Sequence, residues 1–535
     1  MNSKAKRYTS NIIDIVTLII SMIIGAILRI VGYDWGGYGI HQPDEIWMVQ
    51  PAVEMAAAKK FTYNTFYYPA QSFAKINAFI ILVHRKLTGT SISLDHADQY
   101  YVCRITTAIA GVLTIAIVFL IGNYLFKHWG TICALLLAIS PQMIIISKQV
   151  TGDINVCLCG ALTMFLALKY SEAQKKIYMF LMAFVAAFAT MEKYHGGATT
   201  ILIALFILLY SKSFKDFFIR GLETISAYLI SIILISPNII KEGPLVLVNN
   251  FFDIAKYKNI DQKPPYINNL IDYVQCGYMH IGGILYILAM LGGIIVIFKL
   301  KDKRFLVIIL GVIKVAILCL LNRAFLRWGL ELYLMEIMLI ALFFAYIFSK
   351  RSTVFSFISA AFGLIIATEL LLASVFVTEC ARRTEQDVCS VQAKYCNENG
   401  ITTDNAGSTF YTAFELGGFV HNEEHAVWWE LDDALTVRDG ETYKIMDVDY
   451  LICASRAFWN GQMERYNLKD LCIYKATVDY PDIFFLPTNG IIHSYNDLFL
   501  CKNYLEGINK LRNGAITGAY DIYIFDLRNV KYINQ

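Results

Sequence analysis

The chain alternates between long apolar runs and short polar turns. Apolar stretches with almost no charge recur near 11–31, 102–126, 131–147, 154–170, 177–191, 197–210, 221–237, 279–298, 305–321, 329–348 and 353–377. Crossing about 30 Å of hydrocarbon takes roughly 17–25 such residues. A segment in lipid must satisfy its own backbone groups, so these runs are predicted to be helices, about eleven transmembrane spans in all. The first run follows Lys4, Lys6 and Arg7. It is longer than the roughly 7–15-residue core of a cleavable signal peptide, so the reading is an uncleaved first span.

Between the first two runs the pattern differs. Residues 44–60 and 72–86 repeat at helical spacing with one apolar side, which predicts helices lying in the membrane interface. Tyr67, Tyr68 and Pro69 break the chain between them. Past residue 378 the charge rises. Short β-rich runs at 450–454, 482–486 and 521–525 alternate with helix-compatible stretches such as 497–512. The expected organisation is a transmembrane domain over 1–378, with an outer loop at 32–101, and a small α/β domain over 379–535. No internal repeat or low-complexity segment stands out.

Composition supports the pattern. The 535 residues are 57% hydrophobic and 17% charged, with a mean hydropathy of +0.50, against about 45–50% apolar and about 25% charged in ordinary soluble domains. A net charge of +3, without a basic block, gives no reason to expect a nucleic-acid partner. The basic residues of the short loops decide orientation. Lys127, Lys175, Lys176, Lys212, Lys215, Arg220 and the cluster at 299–304 share one side with the N-terminus, and the opposite turns carry chiefly Lys148, Lys193, Arg323 and Arg327. The expected N-terminus is therefore cytoplasmic, and the large pieces 32–101, 236–278 and 379–535 are extracytoplasmic. Twelve cysteines include no C-x-x-C pair. Cys157 and Cys159 read as small packing residues, and the six of the tail permit disulfides without fixing a pairing.

The strongest chemical signal is His41-Gln42-Pro43-Asp44-Glu45, about ten residues beyond the first span. Adjacent carboxylates at a membrane surface suit a general base, metal ligation or binding of a hydroxyl-rich substrate, and Pro-Asp-Glu is also good helix-start chemistry. Asp153 follows Ser147-Lys148-Gln149-Val150-Thr151-Gly152, where its default role is a cap. Lys193 and His195 stand in Met191-Glu192-Lys193-Tyr194-His195-Gly196-Gly197 at the outer end of a hairpin. That lysine either snorkels or meets a phosphate. Arg323 and Arg327 run against the positive-inside bias, which a lipid phosphate would explain. One face thus presents acids on early turns and bases on later ones, an arrangement suited to activating an acceptor and holding a phosphate leaving group. In the tail, Val427-Trp428-Trp429 reads as core or interface before it reads as a sugar platform.

In this order the residues resemble the GT-C class of membrane glycosyltransferases, and within it the family-39-like group of protein O-mannosyltransferases and aminoarabinose transferases. The likeness covers about residues 1–350. It rests on Pro43-Asp44-Glu45 after the first span, Phe66-Tyr67-Tyr68-Pro69 in the same loop, and Ser140-Pro141 ahead of Ser147-Lys148 and Asp153. The hairpin Thr190-Met191-Glu192-Lys193-Tyr194-His195-Gly196 and the late pair Arg327-Trp328 complete it. The chain departs from the group's pattern at Glu192, inserted before Lys193, and at Gly329-Leu330-Glu331, which places an acid inside a span.

The resemblance implies a polytopic α-helical, GT-C-like membrane fold. It implies inverting transfer of one sugar from a polyprenyl-phosphate donor, with a groove between spans for the lipid chain. Asp44 would be the base, Glu45 its support and Asp153 a second acidic contact. Lys193, Arg323 and Arg327 would be candidates for the donor phosphate, and His41, Tyr67, Tyr68, Lys148 and His195 for other substrate contacts. No His/Asp/Cys cluster demands an ion, and any divalent cation (Mg or Mn) would sit between Asp44 and Asp153. The partners implied are the donor lipid, the bilayer and a glycan, lipid or protein acceptor. The expected location is a bacterial plasma membrane. The rival reading, a multi-pass lipid or solute transporter or flippase, would favour internal repeats and broken helices with midplane charges.

Overall fold

The structure is a computed structural model. It describes residues 11–35, 45–62, 71–94, 97–243, 245–247, 249–250, 265–281, 283–299, 301–321, 326–349, 353–409, 426–427, 431–455, 461–481, 501–518 and 521–533. The apolar runs fold as helices. These begin with α1 (Ile12–Ile30), α2 (Glu45–Ala58), α3 (Gln71–Thr88), α4 (Ala97–Leu125), α5 (Trp129–Ala138), α6 (Pro141–Ser147), α7 (Asp153–Ala173), α8 (Lys176–Glu192), α9 (Thr199–Tyr210) and α10 (Phe214–Ile235). Further helices cover Pro265–Ile281, Gly283–Lys299, Leu310–Leu318, Leu330–Phe348 and Thr353–Arg382.

Among the described residues, six helices are long and apolar enough to cross a membrane. The pair α5 and α6, bent by 59°, passes the same test only when taken together, which makes up to seven. The other four expected spans fall on shorter segments: α8, the 3-10 turn Tyr194–Ala198 running into α9, Gly283–Lys299, and the 3-10 turn Lys303–Ile309 running into Leu310–Leu318. The polytopic helical fold is therefore as the pattern predicts. The spans differ in length because several are interrupted by a turn.

Close approach of small residues holds the bundle together, as expected where apolar surface meets apolar lipid and contributes no driving force of its own. A Cβ on Gly122 would lie 2.5 Å from the Gly130 Cα, and one on Gly130 would lie 2.0 Å from the Phe119 carbonyl oxygen, so α4 and α5 touch backbone to backbone. Trp129 is fully buried, and its indole nitrogen donates to the Met338 carbonyl at 2.7 Å. By contrast, α10 leaves Phe214, Phe218, Leu222 and Leu234 exposed, a face suited to lipid.

The bend between α5 and α6 frees carbonyls that a continuous helix would use. Arg29 of α1, fully buried, donates to the carbonyls of Leu137 and Ala138, each at 3.2 Å. Ser374 donates to the Ile139 carbonyl at 2.7 Å, and Ser140 pairs with the Tyr333 hydroxyl at 2.8 Å. Gly111 makes room for this, since a Cβ there would meet Ser147 Oγ at 2.3 Å and Arg29 Nε at 2.7 Å.

The loop helices form as expected. α2 and α3 bury Met48, Val49, Ala52, Ala74, Ala78 and Ile81 against Tyr100, Cys103 and Val150. The opposite side of α3 exposes Ile76, Phe79, Val83 and Leu87, with Arg85 and Lys86 in its last turn, as an interfacial helix does.

After Arg382 the chain enters an α/β unit. Helix Val388–Glu398 precedes the strands β1 (Ala406–Thr409), β2 (Ala426–Val427), β3 (Leu435–Arg438), β4 (Glu441–Lys444), β5 (Tyr450–Ala454), β6 (Cys472–Ala476), β7 (Tyr480–Pro481), β8 (Thr517–Gly518), β9 (Ile522–Asp526) and β10 (Lys531–Tyr532). The main sheet has the order β2-β1-β5-β9-β6. β1 is parallel to both neighbours, and β9 is antiparallel to β5 and β6. Alternation along β5 and β9 sends Ile452, Ile522 and Ile524 to one face with Val388 and Ala393, and Leu451, Cys453 and Phe525 to the other with Leu431 and Leu468. The expected run 450–454 is β5, and 521–525 is β9 shifted by one residue. The run 482–486 and the pair Trp428-Trp429 lie outside the described residues. Cys103, Cys133, Cys157, Cys159, Cys319, Cys396, Cys453 and Cys472 are free thiols.

The tail is seated on the bundle. Helix Cys501–Arg512 lies along Thr353–Arg382, with Tyr504, Ile508 and Leu511 joining the same apolar core as the spans. Tyr504 meets Phe376 with ring centroids 6.2 Å apart, and Arg512 meets Glu379 at 3.4 Å.

Candidate active site at one end of the bundle

Two buried charge clusters form where the C-termini of α1, α6 and α8 meet the N-termini of α2, α4 and α7. The first is built on Glu45, the first residue of α2. Its carboxylate is fully buried and takes hydrogen bonds from Arg104 Nε at 2.9 Å, Arg104 Nη2 at 2.6 Å and the backbone N–H of Val150 at 2.7 Å. Arg104 comes from the early part of α4. It also donates to the carbonyls of Tyr33 and Trp35 and lies over the Trp35 ring at 4.1 Å. Trp35 in turn donates to the Lys148 carbonyl at 2.7 Å. Such a bidentate pair satisfies both partners' hydrogen-bonding groups, the condition under which burying two charges is tolerable. It locks the start of α2 to α4 and to the turn 148–153.

The second cluster centres on Asp153, the first residue of α7. Lys193 Nζ donates to both carboxylate oxygens at 3.0 Å. His195 Nε2 stands 3.6 Å from Oδ1, and Arg327 Nε stands 3.7 Å from Oδ2. Next to them Lys314 bonds Glu331 Oε1 at 3.0 Å and the His195 carbonyl at 3.1 Å. A third acid, Glu192, accepts from Asn155 Nδ2 at 2.9 Å and from the N–H of Phe73 at 3.0 Å, which ties α8 to α3. The turn 148–153 links all three. Val150 meets Glu45, Asp153 meets Lys193, and Gly152 (φ +75°) lies where a Cβ would come within 3.1 Å of Glu192 Oε1.

Of the residues singled out in the sequence, Asp153, Lys193, His195 and Arg327 are brought together, and Glu45 and Lys148 stand nearby. Lys148 is fully buried. Its ammonium donates to the carbonyls of Arg29 and Val31, capping α1. His41, Asp44, Tyr67, Tyr68 and Arg323 lie outside the described residues. Sequence pattern alone does not single out Arg104, Lys314 or Asn155, and it marks Glu331 only as a departure. The available signal is an ionisable residue inside an apolar span, which is costly there and therefore needs a partner.

Among the described residues, no three or more His, Cys, Asp or Glu side chains gather in a way that could hold a metal ion. Asp153 does not suit a cation. Both of its oxygens already bond Lys193, and its other neighbours are Arg327 and His195.

Residues 89–240 match the family model described as dolichyl-phosphate-mannose-protein mannosyltransferase. This bears out the resemblance to the GT-C membrane glycosyltransferases read from the sequence. Among solved structures, ArnT from Cupriavidus metallidurans bound to undecaprenyl phosphate is 10% identical, with 72% of each chain covered and a TM-score of 0.45. The same protein in the apo state is 12% identical, again with 72% of each chain covered, at 0.44. Arabinofuranosyltransferase AftD from Mycobacteria is 11% identical over 85% of this chain and 37% of that one, at 0.40. These likenesses are loose and assign no residue. No curated protein matches the chain.

Proposed function

We propose that the chain is an inverting glycosyltransferase that moves one sugar from a polyprenyl-phosphate donor to an acceptor hydroxyl on the extracytoplasmic face of a bacterial plasma membrane. One observation carries this reading. The segment that matches the mannosyltransferase family, 89–240, supplies Arg104, Val150, Asp153, Lys193 and His195, the residues that meet at one end of the bundle. The matched segment thus contributes residues to both charge clusters.

In this mechanism the acceptor oxygen attacks the anomeric carbon while the bond from that carbon to the phosphate oxygen breaks. The acceptor proton passes to the Asp44 carboxylate, and polyprenyl phosphate leaves. Glu45, whose carboxylate is bonded by Arg104 and Val150, would support the base. Arg327 is the candidate for the leaving phosphate. Lys193 would join it by giving up part of its contact with Asp153. Removing a general base costs typically about 10²–10⁴ in rate. The test compares wild type and Asp44→Asn, purified in lipid, for sugar transfer or release from a panel of polyprenyl-phosphate sugars. Loss of turnover by about that factor, with folding unchanged, supports the reading, and equal turnover in both removes Asp44 from the mechanism.

The bend at α5 and α6 is the kind of feature transporters use to bind ions with freed backbone groups. Here the carbonyls of Leu137, Ala138 and Ile139 are capped by Arg29 and Ser374, so the bend serves architecture.

A further inference from the structure

Among the described residues, His195 is a buried polar group without a hydrogen bond to its ring, set between two satisfied ion pairs. On one side Lys193 bonds both oxygens of Asp153, and on the other Lys314 bonds Glu331. The imidazole is 7% exposed, and neither ring nitrogen has a hydrogen bond among the described residues. Its nearby anionic neighbour, Asp153 Oδ1, stands 3.6 Å from Nε2, beyond hydrogen-bond reach.

The backbone that carries the ring is held firmly. Lys314 bonds the His195 carbonyl at 3.1 Å, and Gly196 is packed so tightly that a Cβ there would lie 2.3 Å from the Ala189 carbonyl oxygen. The imidazole lies beside the indole of Trp328, with centroids 5.8 Å apart. Native proteins rarely leave buried polar atoms unpaired, so a buried imidazole whose two nitrogens find no hydrogen bond among the described residues calls for a partner.

The chemistry of the ring narrows what that partner is. A neutral imidazole offers one donor and one acceptor. A phosphate or carboxylate oxygen would pair with the N–H and leave the other nitrogen without a donor. A hydroxyl both donates and accepts, and a ring bearing several hydroxyls can meet both nitrogens while its apolar face rests near an indole.

Building on the function proposed above, we infer that His195 is a specificity-determining residue that reads a hydroxyl of the donor's sugar, beside the Asp153–Lys193 pair. The division of labour would be a sugar at His195 and a phosphate at Arg327.

The test uses full-length protein in lipid nanodiscs. It measures affinity for undecaprenyl phosphate and for undecaprenyl-phosphate mannose, glucose, galactose and arabinose. Wild type is expected to bind at least one sugar-bearing lipid about tenfold more tightly than the sugar-free lipid, the size of effect that one buried, unmet polar group can exert. His195→Phe keeps a ring beside Trp328 without polar atoms. It should abolish that gain and leave affinity for undecaprenyl phosphate unchanged. His195→Asn should retain part of the gain, and carries the test if the phenylalanine variant does not fold. A phenylalanine variant that keeps the full gain, or that loses affinity for both lipids alike, overturns the inference. Wild type that binds undecaprenyl phosphate but no sugar-bearing lipid more tightly also overturns it, leaving the donor class standing. Failure to bind any of these lipids overturns the donor reading as well.

Discussion

Arg104 shows how much a single buried charge decides at this site. Its guanidinium is fully buried and pairs with a fully buried Glu45, so removing it strands a carboxylate in an apolar interior. Breaking such a pair from one side costs about 3–5 kcal/mol. Arg104→Met is therefore expected to lower thermal stability in lipid strongly, while the double variant Arg104→Met with Glu45→Met recovers much of the loss. Equal melting temperatures for wild type and the single variant would refute the pairing. A second expectation concerns the tail. Burial pushes the Cys396 thiol up to about 11, and Cys453 is buried at the centre of the sheet. Since the thiolate is the reactive form, a maleimide at neutral pH should leave both unlabelled until the protein is denatured. Rapid labelling of either under native conditions would contradict the fold of the tail. Glu45 and Asp153 are visible in the sequence as acids at helix starts. Their partners Arg104 and Lys193 are 59 and 40 residues away along the chain, and pairing at such distance leaves no local pattern.

Elements are positioned mainly by small residues and by caps on interrupted helices. Gly130 sits against the backbone of α4, so Gly130→Ala forces the two helices apart and should cost about 1–3 kcal/mol, as overpacking of a core does. A Cβ on Gly221, in α10, would meet no described residue within 4 Å. Gly221→Ala is expected to be neutral or stabilising by up to about 1 kcal/mol, from helix propensity alone. Thermal melts of the two variants side by side would separate these outcomes, and equal effects would argue against the α4–α5 contact. The apolar runs foretell where helices lie. They do not foretell the 59° bend after α5, although Ser140-Pro141 is visible, because proline at the start of a helix is equally good for beginning a new one.

For the whole molecule, the seat of the tail on the spans is the feature with most consequence. A Cβ on Gly507 would lie 2.7 Å from the Phe376 ring, so a large residue there cannot be accommodated without moving helix Cys501–Arg512. Gly507→Trp should lift that helix. Hydrogen exchange over 501–512 should then rise sharply, with the strands β5 and β9 still protected, since they draw their core from elsewhere. Unchanged protection of 501–512 would show that the contact does not hold the tail in place. The α/β character of this part is legible in the runs at 450–454 and 521–525. The docking is not, because an amphipathic helix shows in sequence that it has an apolar face and not what covers it.

Read without any fold, the chain already specifies the helices of the spans, the two helices of the first long loop, the change of character near residue 380 and the acids that begin α2 and α7. Each of these rests on composition and period over neighbouring residues, where hydrocarbon thickness and helical geometry act directly. It takes the packed molecule to show that Glu45 answers to Arg104, that Lys193 and Arg327 converge on Asp153, that Lys314 holds the turn of His195, and that the tail rests on helix Thr353–Arg382. Buried charges must find partners wherever the packing brings them, and packing joins residues that the order of the chain keeps apart.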